Sequence, residues 1–76
     1  MAAKKSDLNK ALGTAMRSAR KERGYSQEAF ARRAGLDRSN YGAIERGEAN
    51  ITVDTLAKVA GALGLRVSEL FARAGR

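Results

Sequence analysis

An all-α domain of five short helices is the fold this chain predicts, and three observations predict it. Apolar residues recur at three- and four-residue spacing along most of the 76 residues. Hydroxyl or carboxylate residues stand at the starts of these periodic stretches, and glycines stand just past their ends. No stretch shows the two-residue alternation of a half-buried strand.

The elements follow in order. Leu8, Ala11, Leu12, Ala15, Met16 and Ala19 make one face of a first helix, with Lys10, Arg17 and Lys21 on its wet side. Ser6 or Asp7 is expected to cap that helix and Gly24 to end it. Ser26 caps a second helix through Ala34, with Phe30 and Ala34 four apart and Gly35 closing it. Asp37 caps a third, with Tyr41 and Ile44 three apart, and Gly47 closes it. Thr52 caps a fourth bearing Val53, Leu56, Val59, Ala60 and Leu63, stopped by Gly64. A last helix, about Val67 to Arg73, carries Leu70 and Phe71. Residues 1–5 are expected to form a flexible basic N-terminus, residues 6–73 a single domain and residues 74–76 a short tail.

Composition removes whole classes of function. Of 33 apolar residues 15 are alanine, which leaves a core with few large side chains. Without cysteine there are no disulfides and no thiolate chemistry, and without histidine the commonest general base and metal ligand are missing. No metal and no cofactor is expected. The 15 Lys and Arg against 8 Asp and Glu leave a net charge of +7, which speaks to partners rather than to fold. Residues 1–46 hold 11 basic against 5 acidic side chains, whereas residues 47–76 hold 4 against 3. One half of the molecule thus projects a positive field suited to a polyanion. No apolar run is long enough to span a bilayer. The basic start at Lys4 and Lys5 is not followed by the apolar stretch of a secretory signal, so the chain is expected in the cytoplasm. The sequon Asn50-Ile51-Thr52 is then an accident of composition.

The informative stretch runs from Gln27 to Arg46, two helices separated by Ala34-Gly35-Leu36-Asp37. A tight interhelical turn needs a small residue where the helices cross (Ala31), a glycine for positive φ (Gly35) and apolar contacts to lock the pair (Leu36, Tyr41, Ile44). These offsets suit a DNA-binding helix-turn-helix. The strings Gly24-Tyr-Ser-Gln-Glu-Ala-Phe-Ala31, Ala34-Gly-Leu-Asp-Arg-Ser39 and Ile44-Glu-Arg-Gly47 resemble the Cro/repressor-type helix-turn-helix family. So do Thr55-Leu-Ala-Lys-Val-Ala60, Ala62-Leu-Gly-Leu65 and Ser68-Glu-Leu-Phe71, and the resemblance covers residues 8 to 71.

That resemblance implies a compact, lambda-repressor-like five-helix DNA-binding domain. The Leu36-Asp-Arg-Ser39 start looks most like the restriction–modification controller proteins, small homodimeric regulators that bind operator DNA and time endonuclease expression. Phage repressors and antitoxins share most of the pattern. The chain departs from it at Ile51, often a proline, and at Tyr41, usually β-branched. It departs too at Gly42 or Ala43, where a larger polar residue is usual, and at Arg66, usually a Ser or Asp cap.

In this motif the N-terminal turn of the second helix enters the major groove. Arg38 is the main base-reading residue expected, since guanidinium can donate twice to guanine. Ser39 is placed to bond a base edge or a phosphate, or faces water; Gly42 offers close backbone approach or is tolerated drift; Ala43 meets a thymine methyl or nothing. Phosphate contacts are expected from Gln27 at a helix start, where unpaired N–H groups attract anions. Arg46 and Asn50 are expected to clamp the other side, with Asn40 and Arg17 as further backbone candidates. Glu45 lies beside the inward face, where a bare carboxylate is costly, and the resemblance pairs it with Arg20 as a structural ion pair. Leu65, Val67, Leu70 and Phe71 exceed what the edge of a small core needs and are expected to form, in part, a homodimer surface. Double-stranded DNA and a second copy are therefore the expected partners.

Three other readings are weaker. An antitoxin-type interaction module that also binds DNA shares the motif but has a toxin to mask. An enzyme lacks any carboxylate pair placed for acid–base work. A membrane-surface helix needs a bulky apolar face, and that of the first helix is mostly alanine and needed for the core.

Overall fold

The computed structural model describes residues 2–76, and side chains from residue 7 onward. Five helices succeed one another: α1 (Ala2–Glu22), α2 (Gln27–Ala34), α3 (Arg38–Glu45), α4 (Val53–Leu63) and α5 (Val67–Arg73). No strand occurs among the described residues. None of their helices is long and apolar enough to cross a membrane.

The caps are local hydrogen bonds. Ser26 Oγ accepts from Ala29 N at 3.0 Å, Asp37 Oδ2 from Asn40 N at 3.2 Å and Thr52 Oγ1 from Thr55 N at 3.1 Å. Arg66 starts α5 without a hydroxyl or carboxylate of its own; instead Glu69 Oε1 accepts from the Arg66 N–H at 2.8 Å, half of a capping box. Gly35 ends α2 at φ 74°, which lets Leu36 N reach back to Ala31 O at 2.8 Å.

α1 differs from the expectation at its start. It begins at Ala2, so Ser6 and Asp7 lie inside the helix and cannot be its N-cap. The run Ala2-Ala3-Lys4-Lys5 contains strong helix formers and no breaker. The mobility expected of residues 1–5 concerns side chains outside the described residues. At the other end the short tail is a turn, with Arg76 N bonded to Phe71 O at 2.9 Å.

The core forms where α1 crosses the α2–α3 pair and α4 and α5 close beneath it. Met16, Ala19, Phe30, Tyr41, Val59 and Leu70 are completely or almost completely removed from solvent. Phe30 stands at its centre, 5.9 Å from the Tyr25 ring and 5.1 Å from that of Tyr41. Ala31, buried between α2 and α3, lets those helices approach as closely as the turn requires. Two arginines tie the C-terminus of α4 to the rest: Arg23 Nε donates to Leu63 O at 2.7 Å and Arg33 Nε to Ala62 O at 3.0 Å. Arg73 Nη2 reaches Glu22 Oε1 at 2.6 Å, joining α5 to α1.

Glycine sets how α1 meets α3. A Cβ on Gly13 would stand 2.5 Å from the Ile44 carbonyl oxygen and closer still to that of Glu45. Neither neighbour is the loose end of a side chain. Gly13→Ala is therefore expected to destabilise the chain by about 1–3 kcal/mol through overpacking, although alanine is the better helix former. Gly61, within α4, has nothing within 4 Å of the same position, so Gly61→Ala should stabilise by about 0.5–1 kcal/mol. Urea unfolding of the two variants should give shifts of opposite sign.

Candidate nucleic-acid interface

The exposed edge of α3 is its N-terminal turn. Arg38, Ser39 and Asn40 are all exposed, and Ala43, a turn later, is half-buried. Asp37 anchors the start of this turn through its cap, while Tyr41 and Ile44 bury the opposite side of the helix. The structure thus brings the base-reading candidates Arg38, Ser39 and Ala43 onto one accessible helix.

Gly42 is placed differently from its expected role in close backbone approach. It is buried, because the Arg46 side chain folds back over it. A Cβ there would lie 3.2 Å from Arg46 Nη1 and 3.8 Å from Gln27 Oε1. Arg46 Nε is held by Glu48 Oε1 at 3.0 Å, an ion pair exposed on both sides. A base or sugar approaching Gly42 must first displace Arg46.

The backbone-contact candidates lie around this edge. Gln27 opens α2 and is half-buried, and the Gln27 and Glu28 N–H groups have no acceptor among the described residues. Asn50 is exposed in the link from α3 to α4, where its Oδ1 accepts from Asn9 Nδ2 at 3.1 Å. Arg17 is exposed on α1. The expected dimer set divides. Val67 is 37 % exposed, and Leu65 and Phe71 are partly covered, but Leu70 is 0 % exposed. Its side chain is spent on the chain's own core, which corrects its assignment to a partner-facing surface.

Beneath the edge lies a buried ionic junction. Arg20 and Glu45, each 6 % exposed, are the buried charged residues among those described. Arg20 Nε donates to Glu45 Oε2 at 2.7 Å and Nη2 to Oε1 at 3.1 Å, a two-pronged contact between α1 and the last residue of α3. Arg20 Nη1 donates to the Tyr25 carbonyl at 2.8 Å, and Gln27 Nε2 donates to Glu45 Oε1 at 2.9 Å. One carboxylate therefore gathers α1, α2 and α3. The buried Tyr41 hydroxyl sits beside the pair; burial first, and then its interaction with the Glu45 carboxylate, raise its pKa above the ordinary phenol value. Burial alone would raise the Glu45 carboxyl too. The Arg20 hydrogen bond, helped by the nearby Tyr41 dipole and the Gln27 amide, turns that into a net lowering from 4.5.

Several of these residues carried no mark in the sequence. Gly13 had one, a glycine amid an apolar helical face. Asn9 had none, being one polar residue on a helix flank, and the Gln27–Glu45 bond depends on a crossing that spacing does not specify.

Removal of one partner of the Arg20–Glu45 pair should cost about 3–5 kcal/mol, and apolar replacement of both should cost less than either single change. Because the folded carboxyl titrates below its ordinary value, the stability it contributes is present above about pH 4.5 and is lost as pH falls through the folded value. Urea unfolding across the acid range should show this loss in the native chain and a flatter profile in Glu45→Gln.

Comparison with known proteins bears on this geometry. Residues 16–70 match the helix-turn-helix family HTH_3. The control protein C.MunI of a Mycoplasma species is 39 % identical over 66 residues, covering 86 % of this chain and 89 % of that protein. Among solved structures, the restriction–modification controller protein C.AhdI from Aeromonas hydrophila superposes with a TM-score of 0.80 at 40 % identity, over 83 % of this chain and 96 % of that one. The clp gene regulator ClgR from Corynebacterium glutamicum superposes with a TM-score of 0.85 at 31 % identity, over 90 % and 72 %. With its exposed α3 edge set on a buried ionic junction, the chain belongs to the HTH_3 helix-turn-helix family and is a DNA-binding transcriptional regulator with restriction–modification controller proteins among its relatives.

Proposed function

We propose that the chain works as a homodimer on a palindromic operator, as the controller protein of a restriction–modification system. The observation that carries this reading is the exposed turn Arg38-Ser39-Asn40, presented on a short helix whose two ends are both pinned. Arg38 reads a base edge, with Ser39 and Ala43 beside it. Gln27, Asn40, Arg46, Asn50 and Arg17 meet the backbone. The controller assignment is supported by similarity that runs through nearly the whole of C.MunI and C.AhdI rather than through a shared motif alone. Such a regulator operates in the cytoplasm, where its operator is.

Pairing of two copies is assigned to Val67 with the partly covered Leu65 and Phe71. Recognition helices related by a two-fold axis would then lie ~34 Å apart, one turn of the duplex. Leu70 is left out of the test because its substitution would damage the core.

Selection from a random-sequence duplex pool, followed by footprinting upstream of the gene, should yield one discrete palindromic site. Uniform binding to all duplexes would overturn the reading. Arg38→Ala should lose discrimination at one base pair per half-site, worth about 1–3 kcal/mol, while retaining most backbone affinity. Val67→Glu should sediment as a monomer with its melting temperature nearly unchanged, and should bind the selected duplex more weakly. A variant that stays dimeric would remove this face from the interface.

A further inference from the structure

We propose that Asn9 is a positioning residue for the DNA-backbone contact of Asn50, holding the Asn50 side chain in place for the duplex. This rests on the reading above, in which Asn50 meets the phosphodiester backbone, and it assigns to Asn9 a part in recognition that the sequence does not signal.

The link between α3 and α4 has no helix of its own and leans on α1. Its glycine, Gly47, takes φ 75° and sits directly over Lys10. A Cβ there would fall 2.5 Å from Lys10 Cγ and 2.8 Å from Lys10 Cα. One residue earlier on α1, Asn9 Nδ2 donates to Asn50 Oδ1 at 3.1 Å, across 41 positions of sequence. The link is thus seated at its start by backbone contact and tied at Asn50 by a side-chain hydrogen bond.

That bond leaves Asn50 a donor. A primary amide has an acceptor end and a donor end. With Oδ1 taken up by Asn9, the Asn50 end left over is Nδ2, for which no acceptor exists among the described residues. A phosphate oxygen only accepts, so it requires a donor. Asn9 therefore holds the Asn50 amide against α1 with a donor free for a phosphate, without touching DNA itself. Both side chains are uncharged, so their contribution is independent of counterion release.

Wild type, Asn9→Ala, Asn50→Ala and the double variant test this. Alanine is a good helix former at the half-buried position 9, and thermal melting confirms that each protein is folded. The probe is the duplex enriched by the wild-type protein from a random pool, titrated across a salt series and mapped by phosphate ethylation interference. Asn50→Ala should weaken binding by about 3–10-fold, the range of one hydrogen bond, and should lose interference at one phosphate per half-site. Asn9→Ala should lose interference at that same phosphate. The double variant should bind no more weakly than Asn50→Ala, because the two residues act as one unit, and the salt slope should stay unchanged in all four. A merely structural Asn9 would leave the interference pattern intact. If Asn50→Ala loses its phosphate while Asn9→Ala keeps it, or if the two losses add, the inference falls and the Asn50 contact stands. If Asn50→Ala changes neither affinity nor interference, the backbone role of Asn50 falls and the inference with it.

Discussion

The structure depends on one buried ion pair. α3 is eight residues long, far below the length at which an isolated helix is stable in water, so its direction must be imposed by its neighbours. Arg20 and Glu45 impose it at the C-terminal end, where the carboxylate receives two guanidinium hydrogen bonds and one from Gln27. Arginine suits this place because its rigid fork also reaches the Tyr25 carbonyl, so the guanidinium is satisfied by two elements at once. A lysine would offer a point charge without the planar register. Desolvation takes back much of what such a pair gains, and its value here lies in direction: the carboxylate finds its donors in one arrangement of α1, α2 and α3.

A small core makes that arrangement rigid through closeness rather than bulk. Ala19, Ala31 and Ala60 are buried where helices meet, and Gly13 admits the carbonyls of Ile44 and Glu45 against α1. Close backbone approach leaves little room for sliding, since packed interiors resist small displacements. Tyr41 runs against this economy. Its ring fills the space beside Phe30, yet its hydroxyl is buried next to the ion pair. Burying that hydroxyl costs free energy, offset by its interaction with the Glu45 carboxylate and by the area of the ring. A β-branched residue there would avoid the cost and fill less volume.

The elements most legible in the sequence are those whose boundaries are local. Ser26, Asp37 and Thr52 each cap through a bond to the residue three positions on, and Gly35 and Gly64 end their helices in the left-handed region; nothing distant is needed to place them. The start of α1 was less legible because a capping residue is decisive only when a poor helix former precedes it, and Ala2-Ala3-Lys4-Lys5 is a good one. Leu70 differs from the expectation for another reason. Periodicity says that a face is apolar, but whether the chain itself or a second copy covers that face depends on how α5 lies against α1 and α4. Asn9 and Gly42 belong to the same class, since their neighbours are set by helix crossings and by one long side chain folding back.

These two kinds of information meet at Arg46. Its charge adds to the basic half of the chain, but in the free protein it is paired with Glu48 and lies across Gly42, so it is not an open cation. Exposed pairs of this sort are worth about 0–1 kcal/mol, so a phosphate can take the place of Glu48 at little cost. A Cβ at position 42 would lie 3.2 Å from the guanidinium, close enough that Arg46 would have to shift slightly to keep its place. On the proposed reading, uncovering the middle of α3 then becomes part of binding: the first turn, with Arg38 and Ser39 always exposed, makes first contact, and the second becomes accessible as Arg46 exchanges a carboxylate for the backbone. The junction below makes such an exchange local, since Arg46 can leave Gly42 while Arg20 and Glu45 hold the helix where it is.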